Sequence, residues 1–116
     1  MHNFKELKVW QKSIELTTDV YKLLLTFPLD EKFGLISQLK RAAVSVPSNI
    51  AEGAGRNSNK EFSHFLSICL GSLFELETQL IISNNLNLIN SDSLLEINNK
   101  ISELQKMVFS LKKSFT

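Results

Sequence analysis

The sequence predicts an all-α protein, an antiparallel up-down-up-down four-helix bundle forming a single domain over residues 1–116. Three observations predict it. Apolar residues recur at a 3.6-residue spacing along almost the whole chain, with little of the alternation that a strand requires. The chain has only four Gly and two Pro, and its turn signals, around Pro28, around Gly53–Gly55 and in the asparagine-rich stretch 84–90, leave four helices with short connections. At 43% hydrophobic content, 116 residues can bury one core of ordinary size and no more.

Asn3 with Glu6 is placed to cap a first helix running from about Lys8 to Phe27. That helix carries two apolar strips. Leu7, Trp10, Ile14, Thr17, Tyr21, Leu24 and Leu25 form one face, which the sequence assigns to the core; Val9, Leu16, Val20, Leu23 and Phe27 form another. One bundle core cannot use both. The surplus strip, represented by Val9, Leu16 and Leu23 and joined by Val44 and Ala51, is therefore expected to meet another copy of the chain, making a homo-oligomer.

Pro28, Leu29 and Asp30 end the first helix, and Asp30 is expected to cap the second. The second helix runs to about Gly53 and carries the richest stretch in the chain, LISQLKRAAVSVPSNIAEGAGR over residues 35–56. Leu35, Leu39, Ala42, Ala43, Val46, Ile50 and Gly53 share an arc facing the core. Pro47 removes a backbone donor opposite the Ala43 carbonyl, so a bend is expected near residues 43–47 while the apolar phase continues. Gly53, Ala54 and Gly55 are expected to close the helix in a left-handed cap. They do not read as a phosphate loop, because no strand precedes them.

Ser58 followed by Glu61 is a capping box that starts a third helix, apolar on two sides, running to about residue 85 or 86. Asn84, Asn85, Asn87 and Asn90 mark the next turn, with Ser91 or Ser93 expected to cap a fourth helix. There Leu94, Ile97, Ile101, Leu104, Val108, Leu111 and Phe115 share one arc.

Beside the apolar arc of the second helix lie Gln38, Arg41, Ser45, Asn49 and Glu52. Folding the second and third helices into a hairpin sets Ala42 and Ser45 against Gly71 and Ser72, and brings this polar band alongside Glu75, Gln79 and His64. Residues 61–90 contain Glu61, Glu75 and Glu77 but no Lys or Arg. The expectation is a polar network between the two helices with an Arg41–Glu75 ion pair at its centre, serving register more than stability.

Several chemistries are disfavoured. Glu61-x-x-His64 has the spacing of a di-iron half-site, but the only other histidine, His2, is terminal, so no metal site is expected. Nothing resembles a nucleophile elbow, and a buried Arg41–Glu75 pair reads as structural before it reads as catalytic. No enzyme activity and no cofactor are expected. The single cysteine, Cys69, lies in an apolar stretch, which fits a buried thiol in a reducing compartment. No leader pattern opens the chain and its apolar runs fall short of a bilayer span, so a cytoplasmic location without membrane contact is expected.

Formal net charge is only +1, so any nucleic-acid affinity must come from where the charges sit. In the predicted topology one end of the bundle gathers Lys5, Lys8, Lys12, Arg56, Lys60, Lys112 and Lys113 against Glu6, Glu52 and Glu61. The other end holds Asp30, Glu31, Glu77, Asp92 and Glu96 against Lys22 and Lys32. Two readings stay open. The basic end binds RNA or DNA through phosphates, or its lysines only solvate an assembly that recruits a protein partner.

Three stretches carry a family resemblance: Phe4-x-x-Leu7-x-Val9-Trp10, the run from Gln38 through Arg41-Ala42-Ala43 to Asn49-Ile50-Ala51-Glu52-Gly53, and Glu75-x-Glu77-Thr78. They resemble the four-helix-bundle proteins encoded in intervening sequences of 23S rRNA genes. The resemblance implies a ring-shaped homopentamer and no enzymatic activity. Relatives of that family include the accessory variability proteins of diversity-generating retroelements, basic barrels that bind nucleic acid and a reverse transcriptase. This chain differs from those relatives in being nearly neutral.

Overall fold

The computed structural model describes residues 2–115, apart from the side chains of Lys32 and Phe33, so the predicted place of Lys32 among the charges falls outside the described residues. Four helices account for most of it: α1 (Lys8–Leu24), α2 (Ser37–Ala54), α3 (Asn59–Asn85) and α4 (Ser91–Lys113). Each packs on the two beside it in the cyclic order α1, α2, α3, α4. Links at successive levels give the directions. His2 N–H reaches the Ala54 carbonyl and Thr17 reaches Ala43; Ser45 meets Ser72; Gln105 meets Glu77; Lys12 meets Glu103 while Lys100 meets Glu15. Every neighbour is antiparallel. The bundle measures 43 × 24 × 20 Å.

The local chemistry explains most boundaries. Asn3 accepts from the Lys5 N–H at 3.2 Å and caps a 3-10 turn over Phe4–Glu6, after which α1 starts without a side-chain cap. Its end tightens into i→i−3 bonds that carry the chain to Phe27. Asp30 does not cap α2. It lies in a 3-10 turn (Leu29–Glu31), a π turn follows over Lys32–Ile36, and Gly34 departs from helical torsions (φ −106°, ψ −112°), so α2 begins later than its apolar pattern suggests. Ser58 caps α3 as expected, its Oγ accepting from the Glu61 N–H at 3.1 Å. At α4 the cap is Asn90, whose Oδ1 accepts from the Ser93 N–H at 2.8 Å, and not Ser91 or Ser93. Asn87 makes the turn before it with φ of 61°.

Gly53 and Gly55 do different work from the expected left-handed cap. Gly55 has right-handed torsions and no described glycine has positive φ. Gly53 is glycine because α3 comes too close: a Cβ there would lie 2.8 Å from both Phe62 Cδ1 and Phe65 Cβ. Pro47 sits inside a continuous α2 and leaves the Ala43 carbonyl without its helical donor. Thr17 supplies the replacement from α1, its Oγ1 lying 3.0 Å from that carbonyl and 2.8 Å from the Ser13 carbonyl, so one proton serves both. Thr17→Val keeps the shape and removes the donor. It is expected to cost about 1–3 kcal/mol, read as a lower urea midpoint at unchanged m-value, because the part-buried carbonyl then goes unsatisfied.

The observed rotation of α1 departs from the predicted use of its two strips. Val9, Leu16, Val20 and Phe27 are buried in the core and Leu23 is half-buried, so the strip assigned to a partner belongs to the subunit, while of the face assigned to the core Leu24 is buried as expected. With Thr17 turned to α2 and Lys12, Glu15 and Asp19 turned to α4, the surplus face is the one carrying Ile14 (40% exposed) and Tyr21 (39%). It lies beside Val44, which is exposed as expected. A second apolar face runs along α3 and α4, where Phe74, Ile81, Leu95 and Phe109 are all exposed.

α3 itself is long and apolar enough to cross a bilayer by length and composition, contrary to the sequence reading of its runs as too short. Phe62, Leu66, Cys69, Leu73, Leu76 and Leu80 form its buried stripe at the centre of the bundle. A core helix satisfies the same length-and-composition test. Cys69 is fully buried, and burial pushes its thiol up to about 12, which keeps it an unreactive neutral group.

Candidate nucleic-acid interface

Aromatic packing draws one end of the bundle together. The Phe62 ring, 1% exposed at the start of α3, lies 5.2 Å from the His2 ring and 5.1 Å from the Phe115 ring. The chain start, the end of α2, the start of α3 and the end of α4 therefore share one end, as the topology predicted. Arg56, Lys60 and Lys112 converge there on one open depression of about 670 Å³, lined also by Glu61, Ser63, His64, Phe65 and Ser67.

The remaining predicted basic residues do not all join it. Lys5 and Lys8 are exposed at the head of α1, and Lys113 lies exposed in the last turn of α4. Lys12 is committed elsewhere: its Nζ is 2.7 Å from Glu103, whose hydrogen bond and charge hold the Lys12 ammonium above its ordinary pKa, and Lys12 in turn holds Glu103 below its own. Arg56 is paired too, with Glu52 Oε1 2.6 Å from Nη2, and its guanidinium stacks 4.8 Å over the Phe65 ring. The basic excess at this end is therefore smaller than the sequence count, and within the depression itself Lys60 and Lys112 lie beside Arg56 and Glu61.

His64 and Phe65 were missed as members of this site. His64 was weighed for metal binding and as a neighbour of the α2 polar band, whereas its ring meets that of Phe65 edge-on at 5.6 Å on the wall of the depression. The signal was present in the spacing, since His64 lies one turn beyond Lys60 on a helix. Glu61 accepts from the Ser58 hydroxyl and completes the cap. Among the described residues no three His, Cys, Asp or Glu side chains are placed to hold a metal ion.

The polar network between α2 and α3 exists in a smaller form. Ser45 Oγ lies 2.8 Å from Ser72 Oγ, and Asn49 donates to Ser45 Oγ at 2.9 Å, as the hairpin register required, whereas Gly71, expected against Ala42 and Ser45, is exposed with open space where a Cβ would stand. The Arg41–Glu75 pair is absent. Arg41 is exposed and donates to Gln38 one turn back, Glu75 is exposed, and Glu52 turns to Arg56. The reason is reach. Ala42, Ser45 and Gly53 let the backbones approach closely, and at that separation the longer side chains of the band are pushed outward to water, where ion pairing contributes little.

No curated protein matches the chain significantly. A crystal structure of a protein of unknown function from the S23 ribosomal protein family of Bacteroides thetaiotaomicron superposes with a TM-score of 0.80 at 28% identity, covering 90% of this chain and 98% of that one. The family described as 23S rRNA-intervening sequence protein matches residues 5–110. With nearly the whole bundle matched in sequence and its neighbour alike in fold, the chain belongs to the 23S rRNA-intervening sequence protein family.

Proposed function

We propose that this chain is a non-enzymatic, cytoplasmic protein that assembles with copies of itself and binds RNA or DNA through the phosphate backbone at its basic end. The observation that carries binding is the convergence of Lys60 and Lys112, from helices far apart in sequence, on one open depression beside Arg56. Two cations facing the same concave surface can bridge successive phosphates, and electrostatic contact of this kind needs no base readout. Ring assembly would bring several such ends into one field, which offsets the near-neutral charge of the single chain.

Self-association draws support from the two exposed apolar faces. Ile14, Tyr21 and Val44 lie on the α1–α2 side, and Phe74, Ile81, Leu95 and Phe109 lie on the α3–α4 side, opposite in the cyclic order of the bundle. A two-fold dimer needs one self-complementary face. A closed ring needs two different faces, each meeting the other on the next subunit, and the pentamer is the ring we favour.

Changing Lys60 and Lys112 together to alanine tests the binding reading. Both side chains are on the surface of the depression, so the fold is expected to survive unchanged by circular dichroism. Binding to mixed single-stranded RNA should weaken, and the log–log salt slope should become shallower by about 1.4, as two phosphate contacts are lost. Unaltered affinity and slope would favour the other reading, an assembly that recruits a protein partner.

A further inference from the structure

We infer that the depression takes single-stranded nucleic acid, with one base stacked on the Arg56 guanidinium while Lys60 and Lys112 hold neighbouring phosphates. This rests on the reading that the basic end binds nucleic acid, and it adds the strandedness and the part played by Arg56. The charge of Arg56 is engaged by Glu52, with Nη2 2.6 Å from Oε1, so its pull on a phosphate is reduced. Its guanidinium carbon lies 4.8 Å from the centre of the Phe65 ring, and the side chain is 42% exposed where it lines the depression, so part of the guanidinium is free to meet a ligand.

The ring beneath and the carboxylate beside it hold the guanidinium plane before any ligand arrives, which lowers the ordering cost of stacking. The edge-on pair of His64 with Phe65 stiffens the same wall from the other side. Such a platform is of no use to a duplex, whose base faces are already covered by their neighbours. Single strands present free base faces, and their proteins combine cations along a groove with aromatic or guanidinium planes. Lys60 and Lys112 supply the first element, and Arg56 on Phe65 supplies the second.

The test uses the intact protein and two probes of equal length and phosphate number, oligodeoxythymidylate of about 12 nucleotides and its abasic counterpart. The thymidylate should bind about tenfold tighter than the abasic strand and than a duplex of the same length, with similar salt slopes for the two single strands. Arg56→Lys keeps the charge and removes the plane. It should lose about tenfold for thymidylate and little for the abasic strand, at unchanged salt slope. Phe65→Leu, which removes the ring beneath the guanidinium, should lose in the same direction. Equal affinity for thymidylate, abasic strand and duplex, or Arg56→Lys binding like the unaltered protein, would overturn the stacking platform while leaving phosphate binding standing. No binding of any probe at about 50 mM salt would overturn both.

Discussion

Phe62→Ala is expected to lower the unfolding free energy by about 3–5 kcal/mol, the range for deleting a fully buried aromatic ring. Phe62 is 1% exposed, and its ring joins the chain start, α2 and the chain end to α3 at the basic end: it touches His2 and Phe115, and its Cδ1 occupies the space that a Cβ on Gly53 would need. Chemical denaturation gives the number. Hydrogen exchange gives the place, because the amides of residues 2–8 and the last turn of α4 should lose protection together. A change below about 1 kcal/mol would mean that the cavity collapses and that the ring does not hold the end together. Gly53→Ala approaches the same contact from the other side, forcing Phe62 to move, and it should destabilise by about 1–3 kcal/mol.

The second large effect concerns assembly. Phe74→Glu with Phe109→Glu places two charges on the α3–α4 face, where the rings are 55% and 58% exposed and make no contribution to the core. Folded monomers of 13.2 kDa should result, whereas the unaltered protein should scatter light as a multiple of that mass. Ile14→Glu with Tyr21→Glu on the α1–α2 face should have the same effect. If both faces belong to one ring contact, mixing the two charged variants should restore no closed ring, since each subunit lacks one of its two surfaces. An unaltered protein that scatters as a single chain would remove the assembly reading.

The fold was legible because each helix states its own period and punctuation. The Ser58–Glu61 box, the asparagine-rich turn and the apolar arc of α4 are local signals, and all three are where the pattern placed them. What escaped was rotation. Two apolar strips on α1 have similar hydrophobicity, and the observed rotation is accompanied by a bond no periodicity displays, Thr17 satisfying the carbonyl that Pro47 strands on another helix. Gly53 was read as a cap because its neighbours end a helix, while its cause lies in Phe62 and Phe65 on α3. Charge pairing fared the same way. Sequence counts placed Arg41 with Glu75 and left Lys12 and Arg56 free, but the close α2–α3 contact pushes the first two outward, and Glu103 and Glu52 take the others. The basic end itself followed from topology alone; its aromatic wall required knowing which side of α3 faces the depression.

The central claim, that this end holds nucleic acid through phosphates, is tested most directly by a filter-binding titration of the unaltered protein with mixed single-stranded RNA at about 50 and 200 mM salt. Measurable affinity is expected at the lower concentration and a fall of at least about tenfold at the higher, with a linear log–log slope that the Lys60 and Lys112 double variant makes shallower. Affinity that does not change across this range, or no retention of RNA at the lower salt, would contradict it.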